Sequence, residues 1–238
     1  MRNIVGINNC IKTFEGDGIP VTRAFPVPAM RENDPFLLFD HFGPINYEPG
    51  GATGVPAHPH CGFEAITYLL GGEVEHKDSW GGQAAIETGD IQWMTTGSGL
   101  IHSELVTDKF KKSGGEMQGL QIWVNLPQKH KQVKPWYQHI KKNDIPSIDE
   151  GNDVLIKVLV GKVKNISSAV QTYSPVSIFD VQFIKPSLID LDISKNQTVM
   201  VYVIDGELKF HDKNQIARKG QMIYFDQSSD MINLTSIS

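Results

Sequence analysis

Two stretches of this chain, "TYLLGGEVEHKD" (Thr67–Asp78) and "VYVIDGELKFHD" (Val201–Asp212), align without a gap. A second pair, "GDIQWM" from Gly89 and "GQMIYF" from Gly220, follows at nearly the same spacing. Self-similarity of this length means that one supersecondary unit is present twice, and any fold must accommodate both copies. Glycine turns ("EPGGATG", "LLGGEV", "WGGQ", "SGGE", "ARKGQ") separate runs such as "AITYLL", "GLQIWVNL", "DVLIKVLVG", "SIFDVQFI" and "TVMVYVI". These runs are rich in β-branched and aromatic residues and too short for good helices. The pattern predicts an all-β protein, a sandwich or a barrel. "IHSELVTDKFKK" and "PWYQHIKKNDI" allow short helical turns at most. "LPQKHKQVKPWYQ", polar and basic with two prolines, reads as a linker and places a boundary near residue 135. The expected domains are 1–134 and 135–238, each large enough to bury a core.

A formal net charge of -5 over 238 residues, with lysines and arginines scattered, gives no basic stripe of the kind that neutralises phosphates, so direct nucleic-acid binding is not expected. The start, "MRNIVGINNCIKTFEGDG", has no apolar core of signal-peptide length, and no window reaches the roughly 18 apolar residues of a membrane span. The expectation is a cytoplasmic protein without a membrane partner. Cys10 and Cys61 are too few for a disulfide framework.

The motif "HPHCGFE" sets His58 and His60 two residues apart, and on a strand such residues share a face. "GSGLIHSE" ends in a second such pair, His102 and Glu104. If these strands are neighbours, three imidazoles and a carboxylate converge on one point. Nitrogen and oxygen donors without thiolate suit a first-row divalent metal and leave positions open for water, substrate or dioxygen. Iron(II) leads; manganese, nickel, copper and zinc also fit. Glu64, four residues past His60, shares its face if the strand is unbroken across Gly62. His76, His130, His139 and His211 lack such company and are expected at the surface. Cys61 is expected to be a partly buried, inert thiol pointing away from the histidines, and the four tryptophans to pack in cores or linker contacts.

"DPFLLFDHFGP", "HPHCGFEAITYLLGGEVEHKDS" and "GDIQWMTTGSGLIHSE" together resemble the pirin family of the cupin superfamily, over most of residues 15–130. The resemblance implies two tandem cupin-type barrels, a bicupin, with metal in the N-terminal one only. It implies His58, His60, His102 and Glu104 as ligands, iron as the usual metal, and Glu64 behind the ligands rather than among them. The general cupin pattern is met by His58, His60, Glu64 and Gly71, whereas Thr95 replaces the proline of the second cupin motif. Aligned on the repeat, Asp192, Ser194, Asn233 and Thr235 stand opposite His58, His60, His102 and Glu104, so only the first copy is expected to bind metal. Pirins continue beyond the strand resembling "MINLTSIS", so the second barrel is expected to be truncated. The implied activity is that of a quercetin 2,3-dioxygenase, opening a flavonol with dioxygen and releasing carbon monoxide, with Glu104 and Glu64 as catalytic carboxylates. The alternative is a non-catalytic, iron-dependent, redox-sensitive regulator acting through a protein partner. A monomer is expected.

Overall fold

A computed structural model describes every residue except 17, 29, 31, 32, 152, 211–214 and 238; His211 therefore lies outside the described residues. In chain order the strands are β1 (Ile4–Asn9), β2 (Ile11–Glu15), β3 (Ile19–Phe25), β4 (Phe36–Tyr47), β5 (Gly54–His60), β6 (Phe63–Gly71), β7 (Glu73–Asp78), β8 (Gln83–Glu87), β9 (Ile91–Thr95) and β10 (Leu100–Val106). A short α-helix, α1 (Asp108–Ser113), precedes β11 (Gly115–Asn125) and β12 (Trp136–Ile140). Then come β13 (Ser147–Asp149), β14 (Val154–Val160), β15 (Lys162–Val163), β16 (Ile166–Ser167), β17 (Ile178–Phe183), β18 (Leu188–Asp192), β19 (Val199–Tyr202), β20 (Glu207–Phe210), β21 (Gln215–Arg218), β22 (Gln221–Phe225) and β23 (Met231–Ser236). The protein is all-β, as the turn spacing predicts, and it divides into two units, as the repeat predicts.

One compact unit comprises Ile11–Ile145 with Ala169–Val176; the other comprises Met1–Cys10, Pro146–Ser168 and Ser177–Ser238. This differs from a cut at 134/135. Trp136–Gln138, the end of the expected linker, and His139 and Ile140, read at most as a helical turn, together form strand β12, which pairs with β9 along its whole length. Two prolines and several lysines obscured a strand whose Ile140 is buried. At the other end, β1 pairs with β22, and Ile4 sits in the same core as Ile156, Ile223 and Ile232.

The first unit has a seven-stranded sheet, β12-β9-β6-β11-β4-β3-β2, and a four-stranded sheet, β5-β10-β7-β8. Leu69 and Met117 from the larger sheet pack with Val74 and Ile86 from the smaller and with Phe110 of α1. That helix is capped by Thr107, whose hydroxyl accepts from the Phe110 amide.

The second unit repeats the smaller sheet strand for strand as β18-β23-β20-β21, and β19 pairs with β22 as β6 pairs with β9. The use of the two copies differs. Along β18 and β23 the buried apolar positions are Ile189, Leu191, Ile232 and Leu234, all in one core. Asp190 and Asp192 face solvent, and Asn233 donates to Asp190 across the strand pair at 2.8 Å. The position aligned with the first-copy histidines on the repeat is thus one residue out of phase with the inward face, and a one-residue step reverses every side chain of a strand. Where the first copy keeps polar groups inside, the second is filled with aliphatic side chains.

Arg2 secures the N-terminal strand. Its guanidinium is buried and donates to the carbonyls of Ser229 (2.9 Å), Gln197 (2.6 Å), Asp226 (3.3 Å), Ile193 (3.2 Å) and Ser194 (2.6 Å). Removing it leaves buried acceptors without a charged donor, which costs on the order of 1.5–3 kcal/mol. Arg2→Ala is expected to lower the thermal midpoint measurably in a melting experiment, while leaving metal binding in the first unit unchanged.

Candidate metal centre

β5 is the edge of its sheet, where Pro56 and Pro59 remove no ladder bond that a central strand would need. Its partner β10 sets His102 opposite His58 and Leu100 opposite His60. The register then slips by one residue on the β5 side, so that Glu104 faces Val55. Gly54 follows closely, with a positive φ of 82°, and any Cβ there would overlap the carbonyl of Glu104. The bulge and this glycine allow β5 to approach β10 closely beside the histidines.

The result is a three-histidine cluster. One ring nitrogen from each of His58, His60 and His102 lies within 4.8 Å of the others, and the group can hold a metal ion. Ring centroids are 4.6 Å apart for His58 and His60, 4.4 Å for His58 and His102, and 5.0 Å for His60 and His102.

The nitrogens fit a cation. His58 Nδ1 lies 2.8 Å from the Pro56 carbonyl, which only accepts, so Nδ1 carries the hydrogen and Nε2 keeps its lone pair. His102 is buried, and its Nε2 has no hydrogen-bond partner among the described residues. An orphaned, buried imidazole nitrogen facing two other imidazoles is what a metal would satisfy. Burial, then the neighbouring His58, holds the His60 pKa down to about 4, and burial followed by His58, His60 and His76 depresses His102 further. Both rings are therefore neutral at physiological pH, the form in which an imidazole can ligate a metal.

Glu104 is not in the group of mutually close donors. It sits one pleat from His102 on β10, and its Oε1 accepts hydrogen bonds from Thr67 Oγ1 at 3.1 Å and from Gln92 Nε2. Gln92 Oε1 in turn accepts from Tyr137 at 3.3 Å. Glu64 is placed differently from a same-face expectation. β5 ends at His60, the chain turns through Gly62 at a φ of 78°, and Glu64 begins the next strand, fully buried. Its two oxygens accept from Thr95 at 2.8 Å and Thr172 at 2.5 Å.

Beside His60 stand Phe63 (5.1 Å) and Trp123 (5.2 Å), stacked on each other at 4.5 Å. Pro59, His60, Cys61, Ser79, Gly99 and Ile101 help to line an open recess. Cys61 is exposed there, not partly buried, because it lies in the turn between β5 and β6. Trp80 is also half exposed rather than packed in a core; its Nε1 donates to the Gly99 carbonyl and Lys134 lies over its ring.

The residue that sequence reasoning missed is His76. Expected at the surface, it is fully buried, with Nδ1 at 3.4 Å from His102 Nδ1 and Nε2 at 3.0 Å from Asp78 Oδ2. The repeat held the signal, since His76 aligns with Phe210, a core residue of the second unit. His139 is likewise mostly buried, against Asp90 at 2.8 Å, and His130 packs on Tyr173 at 4.5 Å.

The sequence profile of the family described as Pirin matches residues 18–124. A Pseudomonas aeruginosa protein named "Putative quercetin 2,3-dioxygenase PA2418" is 35% identical over 98% of this chain and 82% of its own length. Human pirin is 37% identical over 82% of this chain, a match that takes in 63% of the human protein. Among solved structures, a quercetin 2,3-dioxygenase from Acinetobacter baumannii superposes with a TM-score of 0.91 at 34% identity, covering 99% of this chain and 83% of that one. An Escherichia coli pirin in complex with nickel(II) shares the fold at a TM-score of 0.66 and 17% identity, covering 98% and 95%.

Because an unfolded imidazole takes up its proton near the usual 6.5 while folded His60 does so only at about 4, the unfolded state binds protons first as pH falls. The metal-free protein is expected to lose stability progressively between those values. Thermal midpoints measured across that range should fall less steeply for His60→Gln than for the parent chain.

Proposed function

Since the chain belongs to the pirin family, we propose that it is a metal-dependent dioxygenase acting on a flavonol, of the quercetin 2,3-dioxygenase type. The observation that carries this reading is the trio of neutral imidazoles, His58, His60 and His102, with a buried nitrogen left without a partner. The relatives' names supply the reaction class, quercetin 2,3-dioxygenase, and the family resemblance implies that a flavonol is opened by dioxygen with loss of carbon monoxide.

His58, His60 and His102 would hold a divalent metal, iron(II) first among those that nitrogen donors accept. When bound, the cation supplies Lewis acidity toward a substrate hydroxyl and open positions for oxygen donors. Glu104, one pleat from His102, would be the carboxylate that completes the ligand set or takes the substrate hydroxyl proton. Thr67 and Gln92 hold its Oε1 in place, leaving Oε2 with no hydrogen bond among the described residues to receive that proton. The stacked Phe63 and Trp123 next to His60 offer a flat apolar wall suited to an aromatic ring. Glu64, held by two hydroxyls, maintains the packing behind β6 and needs no direct role in proton transfer.

Protein loaded anaerobically with iron(II) and then exposed to oxygen should consume quercetin and release carbon monoxide. His58→Ala should abolish both metal binding and turnover. Glu104→Gln should lower turnover by about 10²–10⁴-fold, the range of a lost general base, whereas Glu64→Gln should leave metal binding intact. Iron-loaded protein with no flavonol turnover would contradict the enzymatic reading and favour a non-catalytic role exercised through a protein partner.

A further inference from the structure

Behind the three histidines lies a second, fully buried group that the proposed reaction does not use. We infer that His76 and Asp78 form a relay that fixes the proton of His102 on Nδ1 and thereby presents Nε2 to the metal; this rests on the metal-centre reading above.

Asp78 Oδ1 accepts from the backbone amides of Trp80 at 2.7 Å and Gly82 at 3.0 Å, which pins the carboxylate at the tip of the β7–β8 turn. A Cβ on residue 82 would collide with Oδ2, so glycine is required for the carboxylate to sit there. Oδ2 faces His76 Nε2 at 3.0 Å, and an ionised carboxylate only accepts, so Nε2 of His76 carries a hydrogen. The plane of that ring is held by Tyr137, stacked on it at 4.1 Å and 10°. His76 Nδ1 lies 3.4 Å from His102 Nδ1. If His102 ligates through its orphaned Nε2, its Nδ1 must bear the hydrogen and donate, which leaves the lone pair of His76 Nδ1 as acceptor. A single arrangement satisfies every atom: His102 donates to His76, and His76 donates to Asp78.

Strand pairing builds this in. β10 sets His102 against Asp78 and Glu104 against His76, so the relay and the candidate ligands interleave on adjacent strands. A carboxylate oriented onto a ligand imidazole is a general device of metal sites; here one further imidazole is interposed. His76 and Asp78 are thus positioning residues, acting through His102.

The test uses cobalt(II) as probe, with affinity measured by competition against a chromophoric chelator and geometry by the d–d absorption of the cobalt protein. Asp78→Asn keeps an oxygen for the Trp80 and Gly82 amides but turns an amide donor toward His76, forcing the hydrogen of His76 onto Nδ1, against that of His102. Asp78→Asn and His76→Phe are expected to weaken cobalt binding by about 10–100-fold and to change the absorption bands. The thermal midpoint of metal-free Asp78→Asn should match the parent. His76→Gln, whose amide can both accept and donate, should recover affinity and spectrum. Parent-like binding and spectra in Asp78→Asn and His76→Phe, with binding still abolished by His58→Ala, would overturn the relay and leave the centre standing. Failure of the parent chain to bind cobalt, or binding that survives His58→Ala, would overturn the centre itself and the relay with it.

Discussion

The pairing of β5 with β10 is the constraint on which the candidate site depends. It sets His58 opposite His102, brings His60 alongside, and through one extra residue on β5 turns the strand so that Glu104 follows without joining the tight cluster. A strand at a sheet edge can carry the two prolines that flank these histidines; a central strand could not without losing ladder bonds. The other face of β10 is bounded by β7, which contributes His76 and Asp78. The geometry of the histidine cluster, its supporting hydrogen bonds and the aromatic wall all follow from one four-stranded sheet and its neighbours β6 and β11.

The two copies of the repeat show how one topology serves two ends. The strands correspond one to one, yet the second copy packs Ile189, Leu191, Ile232 and Leu234 inside and turns Asp190, Asp192 and Asn233 outward. A fully apolar interior gains the burial energy that a polar site forgoes, since each buried aliphatic side chain contributes about 1.5–3 kcal/mol. The first copy instead keeps several buried polar groups, Glu64, His76, Gln92 and His102 among them, and offsets their desolvation with hydrogen bonds. His102 Nε2 is left without a hydrogen-bond partner among the described residues, and on the proposed reading it is the atom whose missing partner a metal would supply.

Much of this could be read from the chain. Glycine spacing and β-branched runs indicated an all-β protein, the aligned "TYLLGGEVEHKD" and "VYVIDGELKFHD" indicated two copies, and the i, i+2 histidines indicated a shared face. What could not be read depended on tertiary pairing. The strand Trp136–Ile140 hid behind lysines and prolines, because burial of Ile140 and pairing with β9 outweigh local composition. Swapping of β1 into the second unit has no local signature at all. Glu64 lost its expected alignment with His60 because a glycine at positive φ ends one strand and begins another. His76 was misread since a lone histidine carries no periodicity of its own; only its alignment with Phe210 marked it as inward.

The most direct test of the central claim is a diffraction measurement on crystals of the protein grown with iron(II) under anaerobic conditions, collected at the iron absorption edge. One anomalous peak is expected about 2 Å from Nε2 of His58 and of His102 and in contact with His60, with none in the second unit. The absence of a peak at the three histidines, or a peak held by other residues, would contradict that claim.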